Sequence, residues 1–328
     1  MADFPMTLAC WDYDRTQPLA DGRVRPEGID LTYLPLMMPE PAFRMLRHGE
    51  FEAAEMSLSW YARTVESDPR PFTAIPVFPS RMFRHSCVYI SEHSGIEKPE
   101  DLVGKRVGCP EYQMTAAVWL KGIMADRHNV PVDRVHYFTG GLEQPGRTET
   151  SMDLPGNIRV EPIPADRTLS EMLAVGEIDA LYTAHMPSSY RTGTGVRRLW
   201  SDFGAEERRY YEDTGIFPIM HVIVIRQDVF ESRPWVAQSL VKAFEQAKEI
   251  AYRGVRETTA LKYMVPWMVQ AVEESERLLG PDPFSYGLES NYETLMTFLR
   301  YSHEQGLTRR QLSPEELFAS TTLEVSKI

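Results

Sequence analysis

Apolar positions along this chain follow two spacings, and their alternation predicts the architecture. Strand-length apolar runs occur at Met6–Trp11, Ile29–Leu34, Phe51–Met56 and Phe72–Phe78. Between them stand the polar turn Asp12-Tyr-Asp-Arg15 and a helix-like stretch at Pro41–His48. Ser57-Leu-Ser59 is placed to cap a helix beginning at Trp60. Repeated strand, turn and helix is the order of α/β layers.

The stretch Ser91–Leu102 turns polar, and a fresh α/β unit follows it. Lys105–Cys109 and Val135–Phe138 read as strands around a helix at Ala116–Arg127. A helix at Leu169–Val175, stopped by Gly176, leads into the strand Ile178–Tyr182. Ile216–Ile225 is β-rich, and beyond it the chain reads as wholly helical. Val236, Leu240, Phe244, Ala247 and Ala251 form a 3.6-residue stripe on a helix over Pro234–Tyr252. Ser290 with Glu293 makes a capping box for the next helix, and Ser313-Pro314-Glu315-Glu316 opens a last short one. Two strand-like crossings, Ser86–Ile90 and Ile216–Ile225, bracket the middle unit. The expectation is therefore two α/β domains with a ligand cleft between them. Residues 1–90 and 216–328 would form a discontinuous first domain, and 91–215 an inserted second.

Composition narrows the function. At 328 residues with 43% hydrophobic and 25% charged residues, this is an ordinary globular composition. A net charge of −12 disfavours nucleic acid and anionic membranes as partners. No apolar run approaches the roughly 18–20 residues of a membrane span. The first residues lack the basic and apolar segments of a secretory signal, so a cytoplasmic location is expected. Cys10, Cys87 and Cys109 lie in apolar surroundings without CxxC spacing and are expected to be reduced and buried. Whether the chain forms a homo-oligomer is left open.

Against that negative charge, Arg81-Met-Phe-Arg-His85 packs two arginines and a histidine into five residues between strand-like runs. Guanidinium forks grip carboxylates bidentately, so the cluster reads as a carboxylate receptor. Ligand sites in α/β sheets lie where strands feed helices. The segments with that address are Asp12–Thr16, Ser57–Ser59, Arg81–His85, Tyr112–Thr115, Thr139–Arg147 and Thr183–Ser189. Gly140-Gly141 reads as a turn rather than a phosphate loop. No P-loop, dinucleotide fingerprint, HExxH or GxSxG is present, and no metal or other cofactor is expected. Of eight histidines, His85, His185 and His221 sit at strand ends on the cleft side, where core and catalytic roles are equally open.

Several strings resemble the 4,5-dihydroxyphthalate decarboxylases, in order along nearly the whole chain. They are Leu8-Ala-Cys-Trp-Asp-Tyr-Asp-Arg-Thr16, Ala54-Glu-Met-Ser-Leu-Ser59, Ile75-Pro-Val-Phe-Pro-Ser-Arg-Met-Phe-Arg-His85 and Gly104-Lys-Arg-Val-Gly-Cys-Pro-Glu-Tyr-Gln-Met-Thr115. Phe138-Thr-Gly-Gly-Leu-Glu-Gln-Pro-Gly-Arg147 and Gly215-Ile-Phe-Pro-Ile-Met-His221 complete the set. A departure is Ala184-His-Met-Pro187, where the family favours an arginine-like residue before the proline. The resemblance implies a type 2 periplasmic-binding-protein fold and cofactor-independent loss of carbon dioxide from an aromatic dicarboxylate. It casts His85 and His221 as the acid/base pair, with Glu143 a further acid. Substrate contacts would come from Asp14, Arg15, Ser57, Ser59, Arg81, Arg84, Tyr112, Gln113, Thr115, Arg147 and His185. The competing expectations are a lyase for another cyclic carboxylic acid and a non-catalytic binder of aromatic carboxylates.

Overall fold

The computed structural model describes residues 3–149 and 152–323. In chain order its strands are β1 (Phe4–Cys10), β2 (Ile29–Pro35), β3 (Ala53–Ser57), β4 (Phe72–Arg81), β5 (Val88–Ser91) and β6 (Arg106–Cys109). They continue as β7 (His136–Thr139), β8 (Arg159–Pro162), β9 (Ala180–Tyr182), β10 (Val196–Arg198) and β11 (Ile219–Arg226). The chain divides into two compact units. The first comprises the residues up to Arg81, Ile219–Met296 and those from Ser313 on; the second comprises Met82–Pro218 and Thr297–Leu312.

The boundaries differ from the sequence expectation of 90/91 and 215/216. β5 pairs with β9 and β10 rather than with the first sheet, so the break falls earlier, inside the Arg81–His85 pentapeptide. Thr297–Leu312 also belongs to the second unit, which a division into two sequence blocks misses.

The first unit carries a five-stranded sheet in the order β2-β1-β3-β11-β4. β1 runs parallel to β2 and β3, and β11 runs antiparallel to β3 and β4. All five residues of β3, Ala-Ala-Glu-Met-Ser, are buried, as expected of a strand covered on both faces. Because β11 is reversed, His221 near its start lies opposite Ser57 at the end of β3. The apolar stripe predicted over Pro234–Tyr252 is buried on a helix spanning Trp235–Val255. Lys248 on the same helix is buried too, its Nζ 2.7 Å from Asp282 Oδ2.

The second unit holds a six-stranded sheet, β10-β5-β9-β6-β7-β8. One core cluster joins Tyr89, Leu169, Leu173, Ile178, Leu181 and Val196. The Thr115–His128 helix is buried along ten successive residues, Thr115–Met124, and packs Trp119 against Phe298 and Tyr301. Gly122 is needed there, since an added Cβ would lie 2.2 Å from the Tyr301 ring. Gly141 has a similar reason, since its Cβ would fall 1.7 Å from the Gln144 carbonyl oxygen, while a Cβ on Gly140 would lie 2.4 Å from the Ile163 side chain.

Candidate active site

Glu55 is the residue around which the first unit's chemistry is arranged. It lies on β3 with no exposed surface, and four donors converge on it. Oε1 faces His221 Nδ1 at 2.5 Å and accepts from the Tyr13 hydroxyl at 2.6 Å. Oε2 accepts from the Trp11 amide at 2.9 Å and from Cys10 Sγ at 3.4 Å. Parallel pairing of β1 with β3 brings the end of β1 and its following turn to this carboxylate; antiparallel pairing of β11 brings His221.

Burial acts to push the Glu55 carboxyl up, but the facing His221 and the Trp11 and Tyr13 donors outweigh it. The net effect holds Glu55 below its ordinary value, so it is a carboxylate at neutral pH. An acceptor-only carboxylate fixes the tautomer of its partner: His221 must carry its proton on Nδ1, leaving Nε2 as the ring's basic nitrogen. The His221 side chain keeps 19% of its surface exposed, so the ring is open to a reactant while Glu55 is not.

Arg15 stands beside this pair. Its guanidinium lies over the rings of Tyr13 at 4.2 Å and Phe284 at 4.5 Å. Nε donates to the Pro79 carbonyl at 2.6 Å and Nη1 to Asp14 Oδ1 at 3.0 Å. Asp14 and Arg15 also line a pocket of about 320 Å³ with Lys248, Tyr252 and Phe284, of which Glu55 and His221 are not walls. Ser57 precedes the Leu58–Thr64 helix and Ser59 is fully buried within it.

The Arg81–His85 pentapeptide is divided between the two units. Arg81 is buried in the first unit, where it donates to the Ser285 carbonyl at 2.7 Å and to Asn291 Oδ1. Arg84 is buried in the second unit, with Nη1 3.7 Å from Cys87 Sγ. His85 is enclosed by Trp200 and Tyr210, at ring separations of 5.1 and 5.3 Å. Burial first, then His128 and Arg127, lower its pKa to about 4. The sequence cast it as an acid/base residue; its surroundings are those of a neutral core histidine.

In the second unit the remaining candidates fall into two groups. Glu149 accepts from the amides of Tyr112 and Gln113 at 2.8 and 3.2 Å, and Arg147 pairs with Glu111. Tyr112 and Gln113 are fully buried, and Thr115 opens the helix just after them. The buried Lys121 donates to the Tyr112 carbonyl at 2.7 Å. Desolvation lowers its pKa to about 7 against the opposing pull of Cys109 and Glu149. Glu143 accepts from both the amide and the hydroxyl of Ser188, at 2.7 and 2.6 Å, and so serves as an anchor of the Ser188–Arg191 turn of helix. His185, three residues before Ser188, is exposed.

Glu55 was not singled out by sequence, although a signal existed: a lone carboxylate inside an otherwise apolar strand is expensive to bury unless partnered. Among the described residues no group of three or more His, Cys, Asp or Glu side chains is arranged to hold a metal ion. No described helix is long and apolar enough to cross a membrane.

No family model matches the chain. It is 38% identical over 330 residues to the 4,5-dihydroxyphthalate decarboxylase of Comamonas testosteroni, with both proteins covered in full. The chain belongs to the 4,5-dihydroxyphthalate decarboxylase family. The family member from Pseudomonas putida is 40% identical over 189 residues, covering 57% of this chain and 73% of that protein. Among solved structures, the putative periplasmic sulfonate-binding protein SsuA of Methylobacillus flagellatus matches at TM-score 0.55 and 14% identity, covering 97% and 92% of the two chains. The aliphatic sulphonate binding protein SsuA of Escherichia coli matches at 0.53 and 12%, covering 98% and 99%. This family member therefore has the periplasmic-binding-protein fold, as the resemblance implied.

Proposed function

We propose that this protein is a carboxy-lyase that converts 4,5-dihydroxyphthalate to protocatechuate and carbon dioxide. Membership of the family supports the substrate, and the Glu55–His221 pair is the observation that carries the chemistry. An imidazole oriented by a buried carboxylate supports this reading because it is the arrangement that proton transfer to and from a substrate hydroxyl needs.

In this reading His221 Nε2 accepts the proton of the hydroxyl para to the departing carboxylate. Glu55 stabilises the imidazolium that results. The phenolate's electron pair moves through the ring to the carbon bearing that carboxylate, which takes up a proton derived from solvent. The C–C bond then breaks, its electron pair restores the aromatic ring, and the carboxylate leaves as carbon dioxide. The imidazolium returns its proton to the phenolate oxygen. Net, one aromatic carboxylate and one proton give the ring C–H and carbon dioxide. Arg15 is our choice for the remaining carboxylate: its Pro79 and Asp14 bonds use Nε and Nη1 and leave Nη2, and its stacked faces hold the fork rigid.

The test is incubation with 4,5-dihydroxyphthalate while following carbon dioxide release and protocatechuate formation, with His221→Asn run beside it. Turnover abolished or reduced about 10²–10⁴-fold by the substitution supports the reading. Absence of product with the unaltered protein, or unchanged turnover in a folded variant, refutes it.

A further inference from the structure

Tyr13 makes a contact that the proposed mechanism does not use. Its hydroxyl donates at 2.6 Å to Glu55 Oε1, the same oxygen that His221 Nδ1 approaches at 2.5 Å. Two donors therefore compete for one carboxylate oxygen, and what that oxygen gives to one it withholds from the other. The Arg15 guanidinium over the Tyr13 ring draws electron density from the phenol and strengthens it as a donor.

We propose that Tyr13 is a positioning residue that sets the pH at which His221 takes up its proton, by regulating how much of the Glu55 charge the imidazole receives. The proposal rests on the catalytic reading of the pair but is a statement about the pair itself.

The surroundings keep this effect readable. Among the described residues the other ionisable groups about the pair are Cys10 on β1, Asp14 and Arg15 in the following turn, Tyr33 on β2, Arg81 at the end of the neighbouring β4, and Tyr286 with Glu245 beside it. Burial pushes Cys10, Tyr13, Tyr33 and Tyr286 up, so all four stay protonated at neutral pH. Asp14 and Arg15 are paired with each other at 3.0 Å. Tyr33 donates to the Trp11 carbonyl at 2.8 Å and not to Glu55, which makes Tyr33→Phe a fitting control.

The sign follows from competition. Removing the Tyr13 hydroxyl returns charge to Oε1, stabilises the imidazolium and moves proton uptake to higher pH. In Tyr13→Phe the acid limb of the pH profile of kcat/KM is expected to rise by about one pH unit, a tenfold lower rate at a pH on that limb. Ring-proton NMR of His221, assigned with His221→Asn, should show its titration midpoint moving by the same amount. Tyr33→Phe should leave both in place. A 3-fluorotyrosine at position 13, nearly isosteric and a stronger donor, should move both downward, and it covers the case in which Tyr13→Phe fails to fold. A midpoint that stays put or moves the other way in either folded variant overturns the proposal. If the NMR midpoint moves as expected and the rate profile does not, the tuning by Tyr13 stands and the catalytic role of His221 falls.

Discussion

Glu55→Gln is the sharpest perturbation of the site, because the substitution keeps the shape and removes the charge. The carboxylate offers two acceptor oxygens to four donors: His221, Tyr13, Trp11 and Cys10. A glutamine amide offers one acceptor oxygen and one NH₂ that can only donate. If its oxygen turns toward His221 and Tyr13, its NH₂ meets the Trp11 amide, and a buried backbone donor is left without an acceptor. That costs about 1–3 kcal/mol of stability. If it turns the other way, NH₂ faces Nδ1, and His221 must move its proton to Nε2, where the base is needed. In both orientations the negative charge that stabilises the imidazolium is gone. We expect kcat to fall about 10²–10⁴-fold, or roughly 3–5 kcal/mol of transition-state stabilisation, with KM within about threefold of the starting value. The assay is initial-rate carbon dioxide release across a substrate series, with thermal unfolding alongside to register the lost acceptor. A folded Glu55→Gln protein with kcat within about threefold of the unaltered enzyme would refute the dyad.

Arg81→Met should act mainly on stability, lowering it by about 2–4 kcal/mol in denaturant unfolding, because the guanidinium ties β4 to Ser285 and Asn291; unchanged stability would return Arg81 to the list of substrate contacts. Acid unfolding should separate two groups by sign. His85, lowered to about 4, binds fewer protons folded than unfolded, so its contribution is full above about pH 6.5 and is lost as pH falls toward 4; His85→Phe should flatten stability over that window. Glu55 is also held below its ordinary value, so its contribution is full above about pH 4.3 and is lost at more acid pH; Glu55→Gln should remove that part of the acid limb alone. Reaction in D₂O should place one deuterium on the ring carbon vacated by the carboxylate, and mass spectrometry showing none would refute solvent as the source of that proton.

Local pattern determined the elements of this protein, and pairing between distant segments determined its site. The helix over Trp235–Val255 and the buried runs of β1, β3 and β4 follow from periodicity, since burial on one face or on both leaves a mark every two or 3.6 residues. Ser290, read from sequence as a cap, lies instead inside the short Glu289–Asn291 helix, and a capping box stands at Ser313 and Glu316, where the sequence showed only a helix start. His221 was legible as a strand-end histidine, and the family was legible in strings of matching residues. What the sequence could not contain was the meeting of residue 55 with residue 221, because 166 positions separate them and only the reversed β11 lays one beside the other. The same limit explains the Arg81–His85 pentapeptide. Five adjacent residues look like one cationic cluster, yet the chain leaves one sheet and enters the other unit within them. Arg81 donates to Ser285 and Asn291 in the first unit, and His85 stands between aromatic rings in the second. Adjacency in sequence fixes which side chains are near in the chain; the sheet order decides which carboxylate holds which imidazole.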